Sequence, residues 1–171
     1  MSAAGRLEFA LQYAAPRRHL PARSSVAAWM RAALAGRRAR VTVRFVGAAE
    51  GRRLNREFRG RDHATNVLTF GYDAGDGRLA GDIVLCAPVV EREARDQDKA
   101  LRAHYAHLAV HGALHLRGYD HSRRRDAVRM EAEERRILTR LGFADPYGGR
   151  GMGGRGMRDE GPIIRHSPSP Q

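Results

Sequence analysis

The chain has 171 residues, 42% of them apolar, 6% aromatic and only one a cysteine, which suits one domain with an aliphatic core and excludes an internal disulfide framework. Its formal net charge is +12 and its isoelectric point near 11.2, a footprint that favours polyanions such as nucleic acid, or acidic membrane surfaces. Of the 31 basic residues only Lys99 is a lysine, so part of the arginine bias is compositional, yet most of the positive excess lies ahead of residue 148.

The segment LEFALQYA, 7–14, reads as a strand, and Pro16 and Pro21 break the chain after it. In SSVAAWMRAALAG, Val26, Trp29, Met30 and Ala33 recur at helical spacing, with Ser24 or Ser25 as the expected N-cap and Gly36 as the stop. RVTVRFVG, 40–47, alternates Val41, Val43 and Phe45 with Thr42 and Arg44, the period of a half-buried strand. A short helix over 48–58 should turn Leu54 and Phe58 inward. VLTFGY, 67–72, and GDIVLCA, 81–87, flank the turn-forming DAGDGR and read as paired strands. From Pro88 a helical pattern runs through 114, with a break expected near Asp96 to Asp98. A last helix over 123–142 carries Val128, Ile137, Leu138 and Leu141 as its apolar residues, closed by Gly142. After Pro146 the sequence is rich in glycine, proline and arginine, a composition that cannot bury enough to order itself. The expected organisation is an α+β domain over 1–146, with a small mixed sheet of about four strands and a central histidine-bearing helix, followed by a disordered tail over 147–171. The N-terminal residues show no cationic stretch ahead of an apolar run, and no segment approaches the roughly 20 apolar residues of a membrane span, so the cytoplasm is the expected compartment.

The most informative stretch is HGALHLRGYDH, 111–121. On a helix, His111 and His115 lie one turn apart on one face, near enough for both imidazoles to reach one metal ion. His121 joins them only if the helix stops and the chain turns back, and Gly118 supplies a residue able to take the left-handed conformation that such a turn needs. Three histidines leave the fourth tetrahedral position to water, the pattern of a catalytic zinc. A zinc peptidase carries its general base beside the first histidine, where this chain has Gly112, so peptide hydrolysis loses its proton shuttle. Phosphodiester cleavage instead needs a cation to meet the charge of the transition state, and Arg56, Arg59 and Arg61 enter a strand through the loop FRGRDHATN. His107, one turn before His111, is a candidate for supporting a ligand or touching RNA, and Asp120 for orienting an imidazole, moving a proton or bonding the turn's backbone. His104, His63 and His166 have less claim.

The strings LNREFRGRDHATNVLTF, AGDIVLC, HLAVHGALHLRGYDH and MEAEERRILTRLGF, in this order over roughly residues 40 to 143, resemble the YbeY endoribonuclease family, also called the rRNA maturation factor family. That resemblance implies a small α+β protein holding one zinc ion on His111, His115 and His121, with Arg59 as the functional arginine. It implies a metal-dependent endoribonuclease directed at single-stranded RNA, acting in 3′-end maturation of small-subunit ribosomal RNA and in ribosome quality control, with the small ribosomal subunit as partner. Asn66 and Thr69 stand where the family pattern often has Asp and Ser. Two other readings of the same residues are a non-enzymatic ribosome assembly factor with a structural zinc, and a metallohydrolase of another substrate class.

Overall fold

A computed structural model describes residues 5–148 and 161–166. In chain order the elements are β1 (Leu7–Ala14), α1 (Arg23–Leu34), β2 (Ala39–Val46), α2 (Ala48–Arg59), β3 (Val67–Asp73), β4 (Leu79–Cys86), α3 (Ala87–Asp96), α4 (Leu101–Leu116), α5 (Arg124–Arg140) and β5 (Ile164–His166). The strands form one mixed sheet in the order β1-β2-β4-β3-β5. β1, β2 and β4 run parallel, β3 is antiparallel to β4, and β5 runs parallel to β3 on its outer edge.

Side-chain alternation divides the sheet into two faces. Val41, Val43 and Phe45 of β2, with Val67, Ile83 and Leu85, meet α1, α4 and α5 in the main core. Val46, Leu68, Phe70, Val84 and Cys86 point the other way and are covered by Leu54 and Phe58 of α2. α4 is buried on every side from His104 to Leu116 and is apolar all round, as a helix at the centre of a core must be. Such a helix is the best-fixed platform the fold offers for a ligand.

Four details differ from the expectations. The sheet has a fifth strand, β5, inside the segment assigned to the tail: Ile163 packs against the main core and Ile164 against the smaller one, and an open strand edge gives this short apolar pair a partner. The remainder of that segment, apart from Tyr147 and Gly148, lies outside the described residues. The first helix has Ala22, extended after Pro21, at its N-cap with no side-chain cap, so Ser24 and Ser25 sit within its first turn. Val128 is 59% exposed, because the inward stripe of α5 runs through Met130, Glu134, Ile137 and Leu138. The helical pattern after Pro88 is two helices, separated at Gln97–Ala100 where Asp98 takes a positive φ of 51°.

Candidate metal centre

The last turn of α4 and the loop after it build the site. Gly118 has φ 96°, a conformation open to glycine at no Cβ cost. The Tyr119 amide returns to the Leu114 carbonyl at 3.0 Å and the Gly118 amide to the His115 carbonyl at 3.0 Å, closing the helix and reversing the chain. His121 is thereby brought against the other two rings, its centroid 5.3 Å from that of His111 and 4.9 Å from that of His115. One nitrogen from each of His111, His115 and His121 lies within 4.8 Å of the others, so the cluster is able to hold a metal ion.

Each ring on the helix has its tautomer set from behind. His111 donates through Nδ1 to Glu134 Oε1 at 2.8 Å, and His115 donates through Nδ1 to the Tyr119 carbonyl at 2.9 Å. Both Nε2 lone pairs are left facing one point, 3.2 Å from each other. Two nitrogens about 2.0–2.1 Å from a tetrahedral zinc ion are separated by roughly 3.3 Å, so the donor set fits such an ion without rearrangement of these two ligands.

Glu134 lies 1% exposed between His107 and His111. Its second oxygen accepts hydrogen bonds from His107 Nε2 and from the Tyr147 hydroxyl, the latter at 2.7 Å. Burial pushes the Glu134 carboxyl up, but the hydrogen bonds from His107 and His111 and the positive character of both rings outweigh it, holding the group well below the usual carboxylate range. It is therefore an anion, and an anion on Nδ1 raises the basicity of the Nε2 that faces the metal position. Glu134 is absent from the residues singled out in the sequence. Its signal was positional: in EAEERRIL it is the glutamate in register with Met130, Ile137 and Leu138.

The other candidates separate clearly. His107 is buried beneath Glu134 and supports the centre from inside the core. Asp120 spends its carboxylate on the turn, accepting from the His121 and Ser122 amides at 2.7 and 3.2 Å and from the Ser122 hydroxyl at 2.6 Å. His104 meets Glu93 at 3.3 Å, His63 is exposed, and the His166 backbone pairs with Tyr72 in the sheet. Arg56 and Arg61 are exposed, while Arg59, in the last turn of α2, is half-buried and donates from Nη2 to the Pro162 carbonyl at 3.2 Å. The structure gathers the three histidines at the end of α4 and places Arg59 on the helix covering the opposite face of the sheet. Gly112 faces the sheet: a methyl group there would lie 3.0 Å from Thr69 Oγ1 and 3.0 Å from Ile83 Cγ2.

Burial, followed by the neighbouring His111 and His121, lowers the His115 imidazole to about 3. Below its ordinary value of about 6.5 the unfolded chain takes up a proton that the folded metal-free protein refuses. The stability of the metal-free protein is therefore expected to be fully present above about pH 6.5 and to fall as the pH drops toward 3, by at most about 5 kcal/mol. Urea titrations at pH 7 and pH 4.5 check this, and equal midpoints would contradict it.

The sequence profile described as endoribonuclease YbeY matches residues 18–142. A protein named endoribonuclease YbeY from Stenotrophomonas maltophilia (strain R551-3) is 54% identical over 153 residues, covering 84% of this chain and 95% of its own. One of the same name from Acidovorax sp. (strain JS42) is 57% identical over 152 residues, covering 85% and 98%. Nitrosomonas eutropha (strain DSM 101675 / C91 / Nm57) has another at 56% over 137 residues, covering 80% and 96%. Among solved structures, that of TM1509 from Thermotoga maritima superposes with a TM-score of 0.54 at 24% identity, covering 83% of this chain and 99% of that one, which establishes a shared fold. Among the described residues no helix is long and apolar enough to cross a membrane.

Proposed function

Since the chain belongs to the endoribonuclease YbeY family, we propose that it is a metal-dependent endoribonuclease that cuts single-stranded RNA at the centre formed by His111, His115 and His121. The observation that carries this reading is the convergence of two buried, pre-oriented Nε2 atoms and a third histidine on one point. Zinc is the ion that best suits three imidazoles, and it would supply an activated water or polarise a phosphoryl oxygen. Glu134 and the Tyr119 carbonyl hold two rings in the ligating tautomer. Arg59 offers its guanidinium fork to a phosphate of the RNA, stabilising the charge that grows on the phosphoryl group in the transition state. Gly112 leaves no carboxylate beside His111 for peptide hydrolysis. The net charge of +12 supports sequence-independent contact with the RNA backbone. In this reading the protein acts in the cytoplasm on ribosomal RNA, in 3′-end maturation on the small ribosomal subunit and in ribosome quality control.

The test measures bound zinc and cleavage of a labelled single-stranded RNA for wild type, His115→Ala and Arg59→Glu. His115→Ala is expected to lose zinc and cleavage together, and Arg59→Glu to keep zinc and lose cleavage by on the order of 100-fold, the scale of removing one transition-state donor. RNA affinity should fall steeply between 50 and 200 mM salt, as for any contact made through phosphates. Undiminished cleavage by purified His115→Ala protein would sink the metal mechanism.

A further inference from the structure

The segment 161–166 lies beyond the stretch that matches the family profile, which ends at residue 142. Its strand β5 is added in register to the outer edge of β3, Ile164 beside Phe70, Arg165 beside Gly71 and His166 beside Tyr72. The two isoleucines grip that edge from both faces. Ile163 lies against Gly71 and Leu116, its Cδ1 only 2.8 Å from where a β-carbon at Gly71 would sit, so the absence of a side chain at 71 makes its seat. Ile164 packs into the smaller core beside Phe58 and Phe70. Just before them the backbone runs against Arg59: Pro162 accepts a hydrogen bond from Arg59 Nη2 at 3.2 Å, and a β-carbon at Gly161 would stand 2.5 Å from the guanidinium carbon.

One short segment thus touches Arg59 on one side and, on the other, Leu116, the neighbour of His115. The edge of β3 lies between the helix that carries Arg59 and the helix that carries two of the ligands.

We propose that the β3 edge together with Arg59 is a docking surface for which the chain's own residues 161–166 compete with RNA. The inference rests on the nuclease reading for the role of Arg59, but not for the docking itself. A neutral carbonyl is a weak ligand for a guanidinium, whereas a phosphate oxygen makes a charge-assisted bond roughly twice as strong. The segment therefore yields to a phosphodiester chain, while its local concentration sets a threshold that casual anions do not cross. If the seated state holds about nine molecules in ten, the apparent RNA affinity is about tenfold weaker than that of the open surface.

The experiment uses the full chain and a charge-neutral double variant, Ile163→Ser with Ile164→Ser, so that the electrostatic attraction for RNA is unchanged. Binding of a fluorescent single-stranded RNA is measured with chelator present, so that no cleavage intervenes. The variant is expected to bind about tenfold tighter than wild type, and the free peptide GPIIRH, added in excess, to restore weaker binding to the variant. In the wild-type protein, adding RNA should accelerate amide exchange across Ile164–His166. Circular dichroism and a thermal midpoint establish that the variant is folded. Equal affinities of the folded proteins, or exchange at Ile164–His166 unaltered by bound RNA, overturn the competition. Arg59→Glu separates the two readings: if it cleaves RNA as wild type does, the assigned role of Arg59 fails, while the exchange measurement still decides whether RNA displaces the strand.

Discussion

Replacing Glu134 with glutamine is expected to weaken zinc binding by about 10- to 100-fold while leaving the protein folded, the usual consequence of removing the group that orients a ligating histidine. Glutamine fills the same volume and keeps one acceptor oxygen, but it carries no charge, and its amide presents hydrogens toward a ring or hydroxyl that itself donates. His111 Nδ1, His107 Nε2 and the Tyr147 hydroxyl all converge on the carboxylate. One of these donors must therefore lose its acceptor, and the His111 ring is freed to present either nitrogen to the metal position. Glu134→Ala goes further, orphaning buried donors at about 1–3 kcal/mol each. Competition titration of zinc against a chromophoric chelator reads the first effect and thermal melting of the metal-free proteins reads the second. Glutamate-like zinc affinity in the glutamine variant would show that the ring is held by its packing alone. Glu134→Asp should recover part of the affinity, which a purely space-filling role would not allow.

Gly112→Glu, the substitution that makes the sequence look most like a zinc peptidase, is expected to destabilise the protein by on the order of 3–5 kcal/mol and to confer no peptidase activity. The residue points at the sheet. A β-carbon there already stands 3.0 Å from Thr69 Oγ1 and Ile83 Cγ2, and a carboxylate beyond it would be driven into the main core. Gly112→Ala is the control: relief of the helix-interior glycine gains up to about 1 kcal/mol, and crowding against Ile83 takes back a similar amount, so the net change should be small. Urea midpoints of the three proteins decide the matter. A Gly112→Glu protein as stable as wild type would mean that α4 can stand off from the sheet. The glycine thus has two consequences, the absence of a base and the closeness of the helix to β3 and β4, and only the first can be read from a motif.

How much was legible follows the same division between local and tertiary causes. Alternation in RVTVRFVG and helical spacing in α1 are set by which faces are buried, and both appear directly in residue order. The three histidines were legible because a helix fixes the spacing of His111 and His115, and because a glycine marks the place where His121 can return. Glu134 was not, since EAEERR offers several carboxylates and only the packing of α5 against α4 selects one. Val128 was misplaced for the same reason: apolar character was taken as the guide to the face, whereas Met130, Ile137 and Leu138 define it. β5 was hidden because three residues have no period, and their strand exists only where β3 leaves its edge open.

The position of the ligands along the chain has a kinetic consequence. Two of them ride on the most enclosed helix of the fold, while the third sits on a partly exposed turn held by Asp120 and by the glycine at 118. Metal exchange then does not require the interior to open. An arriving ion meets a prepared pair of nitrogens and is closed in by a local movement of a few residues, and departure reverses that movement. The residence time of the ion would be governed by the opening rate of this turn rather than by global unfolding, so that a substitution at Asp120 or Gly118 shortens it while leaving the melting temperature of the metal-free protein nearly where it was.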